Sequence, residues 1–338
     1  MKAMILSAPH ELKAGEMQRP PLAPGQVLVR VTNSGICGTD LKIYKGAITV
    51  RHPLVMGHEM TGVVAQSADS TLREGTRVVI DPAVYCGACL NCRAGQTNLC
   101  PNGVLLGRDA DGGFADYVRV PRSHVFPLPD SIDSQVAPLI QVVTVCLHGH
   151  RLIDIFPGMS VAVMGLGVTG QVHLQIAKSW GANPVIGITR SAWKRKLATE
   201  LGADLTLPSG EAGIAGVNDA TGGRGADLVI ECTGVVSAIA DAIRMTRLGG
   251  TVMMFGTTTE TQGELPFYQL YYKELKLVNT RAAKSEDFPA SIDLIRRGAL
   301  RLQPLVTHVL PLSDLESAIG MLEQDADQRM KIILDHQK

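Results

Sequence analysis

Aromatic residues are scarce in this chain, with Phe, Trp and Tyr together making up 4% of 338 residues. That scarcity disfavours a large aromatic-lined pocket. Neither sign of charge is in excess: 32 Lys and Arg balance 32 Asp and Glu. Nothing in that balance points to a nucleic-acid or membrane-surface partner. No apolar run approaches the length needed to span a bilayer. The N-terminus reads as a short strand, because Pro9, Glu11 and Lys13 follow too soon for the apolar region of a signal peptide. Internal repeats and low-complexity segments are also missing. What remains is 45% hydrophobic residues, enough for a real core, and a length that fits one large or two ordinary domains. Seven cysteines, five of them in candidate metal positions, fit a reducing cytoplasm.

Four of those cysteines, Cys86, Cys89, Cys92 and Cys100, lie within fifteen residues of a Gly/Asn-rich loop. Thiolates so close in sequence can surround one tetrahedral ion, and an all-thiolate set leaves no open position for a substrate. The spacing therefore predicts a structural zinc clip. Two disulfides or an iron–sulfur cluster are the alternatives. The expected compartment argues against the first, and the usual cluster spacings differ from this one. Cys146 and Cys232 fall in apolar segments and read as packing residues.

Residues 1–145 read as short β segments punctuated by Gly and Pro, such as 27–31, 62–65 and 77–80. From about residue 158 the pattern alternates. Strands are predicted at 160–164, 184–188, 227–231, 251–255 and 275–279, and helices at 171–180, 192–201 and about 235–247. Such alternation implies a parallel sheet covered by helices on both faces. Two helical stretches, 288–297 and 312–324, and a strand at 331–334 follow. The nucleotide-binding unit is thus expected to be inserted between two parts of a β-rich domain.

Gly165, Gly167 and Gly170 form Gly-x-Gly-x-x-Gly, directly after an apolar strand and at the start of a helix. In that context the glycines, with Val168 opening the helix, allow a tight turn, a close approach to a pyrophosphate and close helix–strand packing. At the end of the next strand, where an acid would hold the ribose of NAD, the chain has Thr189, Arg190 and Ser191, followed by Lys194 and Arg195. Hydroxyls and guanidinium suit a 2′-phosphate, so NADP is the expected coenzyme, with NAD possible. The alternative is that these charges form a solvated helix face.

A second cluster lies upstream: Cys37 in Cys-Gly-Thr-Asp, and His58 and Glu59 in Gly-His-Glu-Met-Thr-Gly. A thiolate, an imidazole, a carboxylate and one water make a catalytic zinc shell with an exchangeable position. The Gly-His-Glu-x-x-Gly segment (57–62), the four-cysteine loop, the run 111–117 and the Gly-rich turn occur in the order found in one family. The chain resembles a zinc-dependent medium-chain dehydrogenase/reductase of the alcohol dehydrogenase superfamily over essentially its whole length. It is most similar to the bacterial polyol and sugar-acid branch (sorbitol, threonine and L-galactonate/L-idonate 5-dehydrogenase types).

The resemblance implies an α/β protein with a GroES-like, β-rich catalytic domain (1–145 and 281–338, with the zinc lobe at about 85–101) and a Rossmann, doubly wound parallel sheet at 146–280. It implies two zinc ions per chain, one catalytic and one structural. Cys37 and His58 are then direct zinc ligands, and Glu59 is a ligand or a near neighbour. Thr39 matches the hydroxyl that takes the substrate's proton. Where the family's relay histidine is expected, this chain has Lys42, whose ordinary pKa is poorly suited to shuttling protons near neutrality. Gln141 stands where relatives place an acid or a cysteine and is assigned to hydrogen-bonding water or substrate. Tyr44, Arg51, Arg108 and Arg281 are polar candidates for the substrate. The expected reaction interconverts a secondary alcohol, a polyol or sugar acid, and its ketone. An NADP-dependent reductase of simple ketones and aldehydes, and a non-catalytic nucleotide-binding protein, are the alternatives. The family usually forms dimers or tetramers, often through the last strand of the coenzyme sheet, here 276–279.

Overall fold

The computed structural model describes residues 1–324 and 327–338. They fall into two compact units, one formed by 1–144, 283–297 and 302–338, the other by 145–282 and 298–301.

The first unit is built mainly from antiparallel strands. Gln26–Gly35 is its centre, pairing with Glu59–Ser67, Tyr117–Pro121 and Lys331–Asp335. Arg77–Ile80, Val125–Pro127 and Val306–Pro311 extend the same sheet outward. A smaller sheet joins Glu11–Glu16, Lys2–Ala8 and Leu54–Val55. The core between these layers includes Leu6, Ile43, Met56, Phe114 and Ile332, all at or near zero exposure. Burial of one such side chain is worth about 1.5–3 kcal/mol. The 111–117 run has a structural reason to accompany the Gly-His-Glu segment. Gly112, Gly113 and Phe114 donate their backbone N–H groups to the carbonyls of Val55, Gly57 and Met56, at 2.8–3.0 Å. Asp111 in turn accepts from the Val55 N–H at 3.0 Å. The two segments clasp each other and fix the backbone that carries His58.

The second unit is a six-stranded sheet in the order 205–207, 185–188, 161–164, 226–231, 246–254, 276–279. Every neighbouring pair is parallel. Its central strands Val161–Met164 and Val185–Ile188 are buried on both faces, which is why they read as unbroken apolar runs rather than alternating ones. The strand order reverses between 161–164 and 226–231. In open sheets of this kind, ligands bind outside the carboxyl ends at that reversal.

Among the described residues, the elements not expected from the sequence include the helices Leu139–His150, Gly38–Tyr44, Leu90–Arg93, Glu211–Ala220 and Phe267–Tyr272 and the strands Leu205–Leu207 and Val306–Pro311. The first lies in the part read as β-rich. Its Val- and Thr-rich sequence favours a strand, but most of the helix is buried, and tertiary burial overrides the propensity. The strand read at 251–255 begins earlier, at Thr246. The helix expected from 312 begins at Leu315, after a 3₁₀ turn over Leu312–Asp314. Residues 298–301 join the second unit, although the sequence reading grouped them with the β-rich part. Arg301 donates its N–H to Gln175 Oε1 at 2.7 Å and its guanidinium to the Glu200 carbonyl at 2.9 Å.

Candidate active site and metal centres

Cys37 ends the extended run Gln26–Gly35 and caps the helix Gly38–Tyr44. Glu59 begins the neighbouring strand with His58 directly before it, and the pairing Gly35↔Glu59 brings the two segments together. One donor atom from each of Cys37, His58 and Glu59 lies within 4.8 Å of the others. His58 and Glu59 are buried and Cys37 is half-buried.

Two further groups complete this centre. Asp40, wholly buried, accepts the Cys37 N–H at 2.8 Å. Its other oxygen faces His58 Nδ1 at 3.6 Å, and among the described residues neither atom has a hydrogen-bond partner. A carboxylate behind one ring nitrogen leaves the other nitrogen to bind a metal, the usual support for a ligating histidine. Burial alone would push the His58 imidazole down. Asp40 and the Cys37 sulfur outweigh it and hold the pKa well above its ordinary value. The surroundings are therefore electron-rich and favour a positive charge at this point. Lys331, 4% exposed, pairs its ammonium with Glu59 Oε2 and donates to the Ile36 carbonyl at 3.0 Å. Gly35 makes room for that pair: a Cβ there would lie 2.2 Å from the Glu59 oxygen. The donor set fits a borderline-soft divalent ion such as zinc, with Cys37 and His58 free to ligate and Glu59 held alongside by a cation.

Thr39 places its hydroxyl 3.7 Å from Cys37 Sγ. Lys42 is half-buried in the same helix. Gln141 is half-buried in the first turn of Leu139–His150. Tyr44 does not join the metal group: its ring packs on His10 at 5.0 Å, and its hydroxyl donates to Glu316 at 3.4 Å. Arg108 is committed to Asp109 through two bonds of 2.7 and 2.9 Å. Arg51 and Arg281 are exposed.

In the cysteine lobe, Cys100 Sγ lies 3.5 Å from Cys86 Sγ and 3.9 Å from Cys89 Sγ, and Cys86 and Cys92 are 4.0 Å apart. Sulfurs at ~2.3 Å from a tetrahedral zinc would be separated by ~3.8 Å. The four thiols are free, so the separations fit one ion and not two disulfides. Backbone N–H groups of Ala88 and Cys89 pull Cys86 down to about 6, whereas removal from water pushes Cys92 up to about 12. The Cys86 and Cys92 amides also point at sulfur, at 3.5 and 3.4 Å.

In the second unit, Gly167 caps the helix Val168–Ser179. A Cβ at Gly170 would strike the Gly165 carbonyl at 2.1 Å, so the turn closes only on glycine. A Cβ at Gly167 would meet nothing within 4 Å, leaving that space to a ligand. Arg195 donates to the carbonyls of Thr189 and Arg190 at 2.7 and 2.8 Å and so shapes the loop after Val185–Ile188. Lys194 sits over the Trp193 ring at 5.5 Å. Arg190 is exposed, and Thr189 and Ser191 are half-buried.

Residues 23–130 match the family model of the alcohol dehydrogenase GroES-like domain, and residues 168–297 match that of zinc-binding dehydrogenases. An L-galactonate-5-dehydrogenase from Escherichia coli K12 is 33% identical, with 93% of each chain covered. The chain belongs to the zinc-type alcohol dehydrogenase superfamily. Its GroES-like and Rossmann-like parts are those of a medium-chain dehydrogenase. A zinc-binding dehydrogenase from Sinorhizobium meliloti 1021, solved with NADP, superimposes with a TM-score of 0.92 at 31% identity, covering 99% of this chain and 98% of the other. An alcohol dehydrogenase from E. coli CFT073, solved with NADH, superimposes with a TM-score of 0.93 at 28% identity and 99% coverage of both.

Sequence reasoning passed over Asp40, Lys331 and Glu231. Asp40 carried a signal: an acid three residues after a helix cap commonly reaches back to the cap's N–H. Glu231 carried a weaker one, an acid closing an apolar strand. Lys331 carried none, since only the three-dimensional pairing of the last strand brings it to Glu59.

Proposed function

We propose that this dehydrogenase interconverts a secondary alcohol, a polyol or sugar acid, and its ketone by hydride transfer, with NADP preferred over NAD and two zinc ions per chain. The observation that carries the reading is the Cys37–His58–Glu59 group with its supporting, buried Asp40 and Lys331. When bound, zinc supplies a Lewis acid to the substrate oxygen and the nicotinamide supplies a two-electron hydride acceptor. Cys37 and His58 would hold the metal. Asp40 orients the imidazole, and Lys331 holds the Glu59 carboxylate beside them. The Thr39 hydroxyl, beside the Cys37 sulfur, takes the proton from the substrate hydroxyl and passes it outward. The four lobe thiolates would hold the second, structural zinc. The polyol and sugar-acid class is supported by the L-galactonate relative and by Gln141, a neutral hydrogen-bonding side chain.

The NADP preference is supported by the loop after Val185–Ile188. Arg195 fixes its backbone, Arg190 is exposed and Ser191 half-buried beside it, Lys194 adds a positive charge one helical turn on, and the sequence 189–195 holds no acid to repel a 2′-phosphate. A panel of polyols, aldonates and simple ketones assayed with both coenzymes tests the reading. Activity confined to simple ketones would replace the substrate class, and kcat/KM equal for both coenzymes or higher with NAD would refute the preference.

A homo-oligomer joined at the strand Lys276–Asn279 is supported by the same unit's surface. Phe267, Tyr268, Tyr271 and Tyr272 are 63–84% exposed, and Leu277 on the outer strand is 41% exposed. Such a patch beside a sheet edge suits a second copy of the chain. Light scattering of Tyr271→Glu should give a smaller particle than wild type; an unchanged mass would remove this edge from the interface.

A further inference from the structure

Glu231 is wholly buried and closes the strand Ala226–Glu231, beside the strand reversal that precedes the Gly-rich turn. Its carboxylate serves three donors. Oε1 accepts the Thr233 N–H at 2.6 Å and also the Thr233 hydroxyl, and Oε2 accepts the Gly234 N–H at 3.0 Å. The Thr233 hydroxyl then accepts the N–H of Val235, the cap of the helix Val236–Met245, at 3.2 Å. Its own carbonyl takes the N–H groups of Phe255 and Gly256, at 2.9 and 2.8 Å, from the end of the next strand. Cys232 N–H bonds the Met164 carbonyl at 2.9 Å, at the end of the preceding one. The carboxylate thus winds the loop at 233–234, while backbone bonds of Glu231 and Cys232 tie that loop to the ends of the two adjacent strands.

The loop it winds presses on the Gly-rich turn. A Cβ at Gly165 would lie 2.6 Å from the Thr233 methyl and 3.2 Å from the Thr233 nitrogen. Thr233 is therefore the wall against which the first glycine of the turn rests. We propose that Glu231 is a positioning residue for the coenzyme: through Thr233 it fixes the Gly165–Gly170 turn in the shape that receives the dinucleotide pyrophosphate. This rests on the reading of the second unit as an NAD(P)-binding unit. The chemistry requires a carboxylate. An amide has one acceptor oxygen, and its NH₂ would face either the two Thr233 donors or the Gly234 N–H. Buried N–H groups left without an acceptor would reshape the loop.

Fluorescence titration with NADPH and NADH on the zinc-loaded protein tests this. Glu231→Gln should raise the NADPH Kd by about tenfold or more. Both zinc equivalents should remain, and kcat at saturating coenzyme should change less than the coenzyme KM. Thr233→Val, which removes the hydroxyl and keeps the methyl, should weaken binding less than Glu231→Gln, and Thr233→Ser, which keeps the hydroxyl and loses the methyl, should fall between Thr233→Val and wild type. A role in stability alone would lower the melting temperature in Glu231→Gln without moving the Kd, and that result overturns the proposal. Should Glu231→Gln fail to fold, Thr233→Val decides: an unchanged Kd overturns the proposal, and a raised Kd that Thr233→Ser partly recovers supports it. Wild-type protein that binds neither nucleotide overturns the dinucleotide reading itself, and the proposal with it.

Discussion

The four-cysteine lobe and the Cys37–His58–Glu59 group both offer donors to a cation, and they differ in nearly every other respect. The lobe takes its ligands from one short stretch, keeps Cys86 in solvent and supports its sulfurs with nearby backbone N–H groups. The other group draws on Cys37, Asp40, His58, Glu59 and Lys331, which meet only because the strands at 26–35, 59–67 and 331–335 pair. The lobe presents four like donors and is closed. The buried centre presents three unlike donors, and one of them is already engaged by an ammonium group. A local, saturated site can hold a loop together. A non-local, unsaturated one can leave a position for a substrate, at the cost of burying charges that must be balanced one by one.

Exchanging one ligand in each cluster gives the largest contrast. Cys37→Ser should lower kcat/KM by about 10³-fold or more while the fold persists, and metal analysis should find one zinc equivalent lost. Cys100→Ser should also lose one equivalent, but its signature is a lower melting temperature and proteolysis within 85–101. If both variants lose activity and stability alike, the contrast is wrong. Next comes the charge balance. Lys331→Met strands the buried Glu59 carboxylate and should destabilise the zinc-free protein by about 3–5 kcal/mol in urea unfolding. Zinc should narrow the difference by giving Glu59 another cation, and an equal loss with and without zinc would separate Glu59 from the metal.

Thr39→Ala should reduce turnover by about 10²-fold with both zinc equivalents in place, the range for loss of a proton-transfer group. Near-normal turnover would remove Thr39 from the proton path. The smallest effect concerns the base of the lobe. Asp81 accepts the Ala83 N–H at 2.9 Å and the Ser285 hydroxyl, and burial raises its pKa to about 6. The folded chain then holds a proton that the unfolded chain has released between about pH 4 and pH 6. Its contribution to stability is therefore greatest below about pH 4 and declines as pH rises to 6, by on the order of 2–3 kcal/mol. Asp81→Asn should flatten that slope in unfolding curves at pH 4, 5 and 6; an unchanged slope would assign it to other groups.

The same contrast explains what could be read in advance. Periodicity exposed the parallel sheet because Val161–Met164 and Val185–Ile188 are buried on both faces. The sulfurs of the lobe were legible because their geometry follows from spacing alone. Leu139–His150 was not, since its β-branched residues are helical only through what surrounds them. Lys331 was invisible for a similar reason: strand pairing across almost the whole chain sets its partner. Arg195 has a role that charge alone does not announce, because one of its guanidinium nitrogens ties together the carbonyls of Thr189 and Arg190.

The pairing of Glu59 with Lys331 also bears on timing. Cys37, His58 and Glu59 leave the ribosome long before the final strand that carries the lysine. The carboxylate of Glu59 therefore stays without its balancing ammonium until the strand at 331–335 has paired with the one at 26–35, and the charge balance of the centre is a property of the folded chain alone.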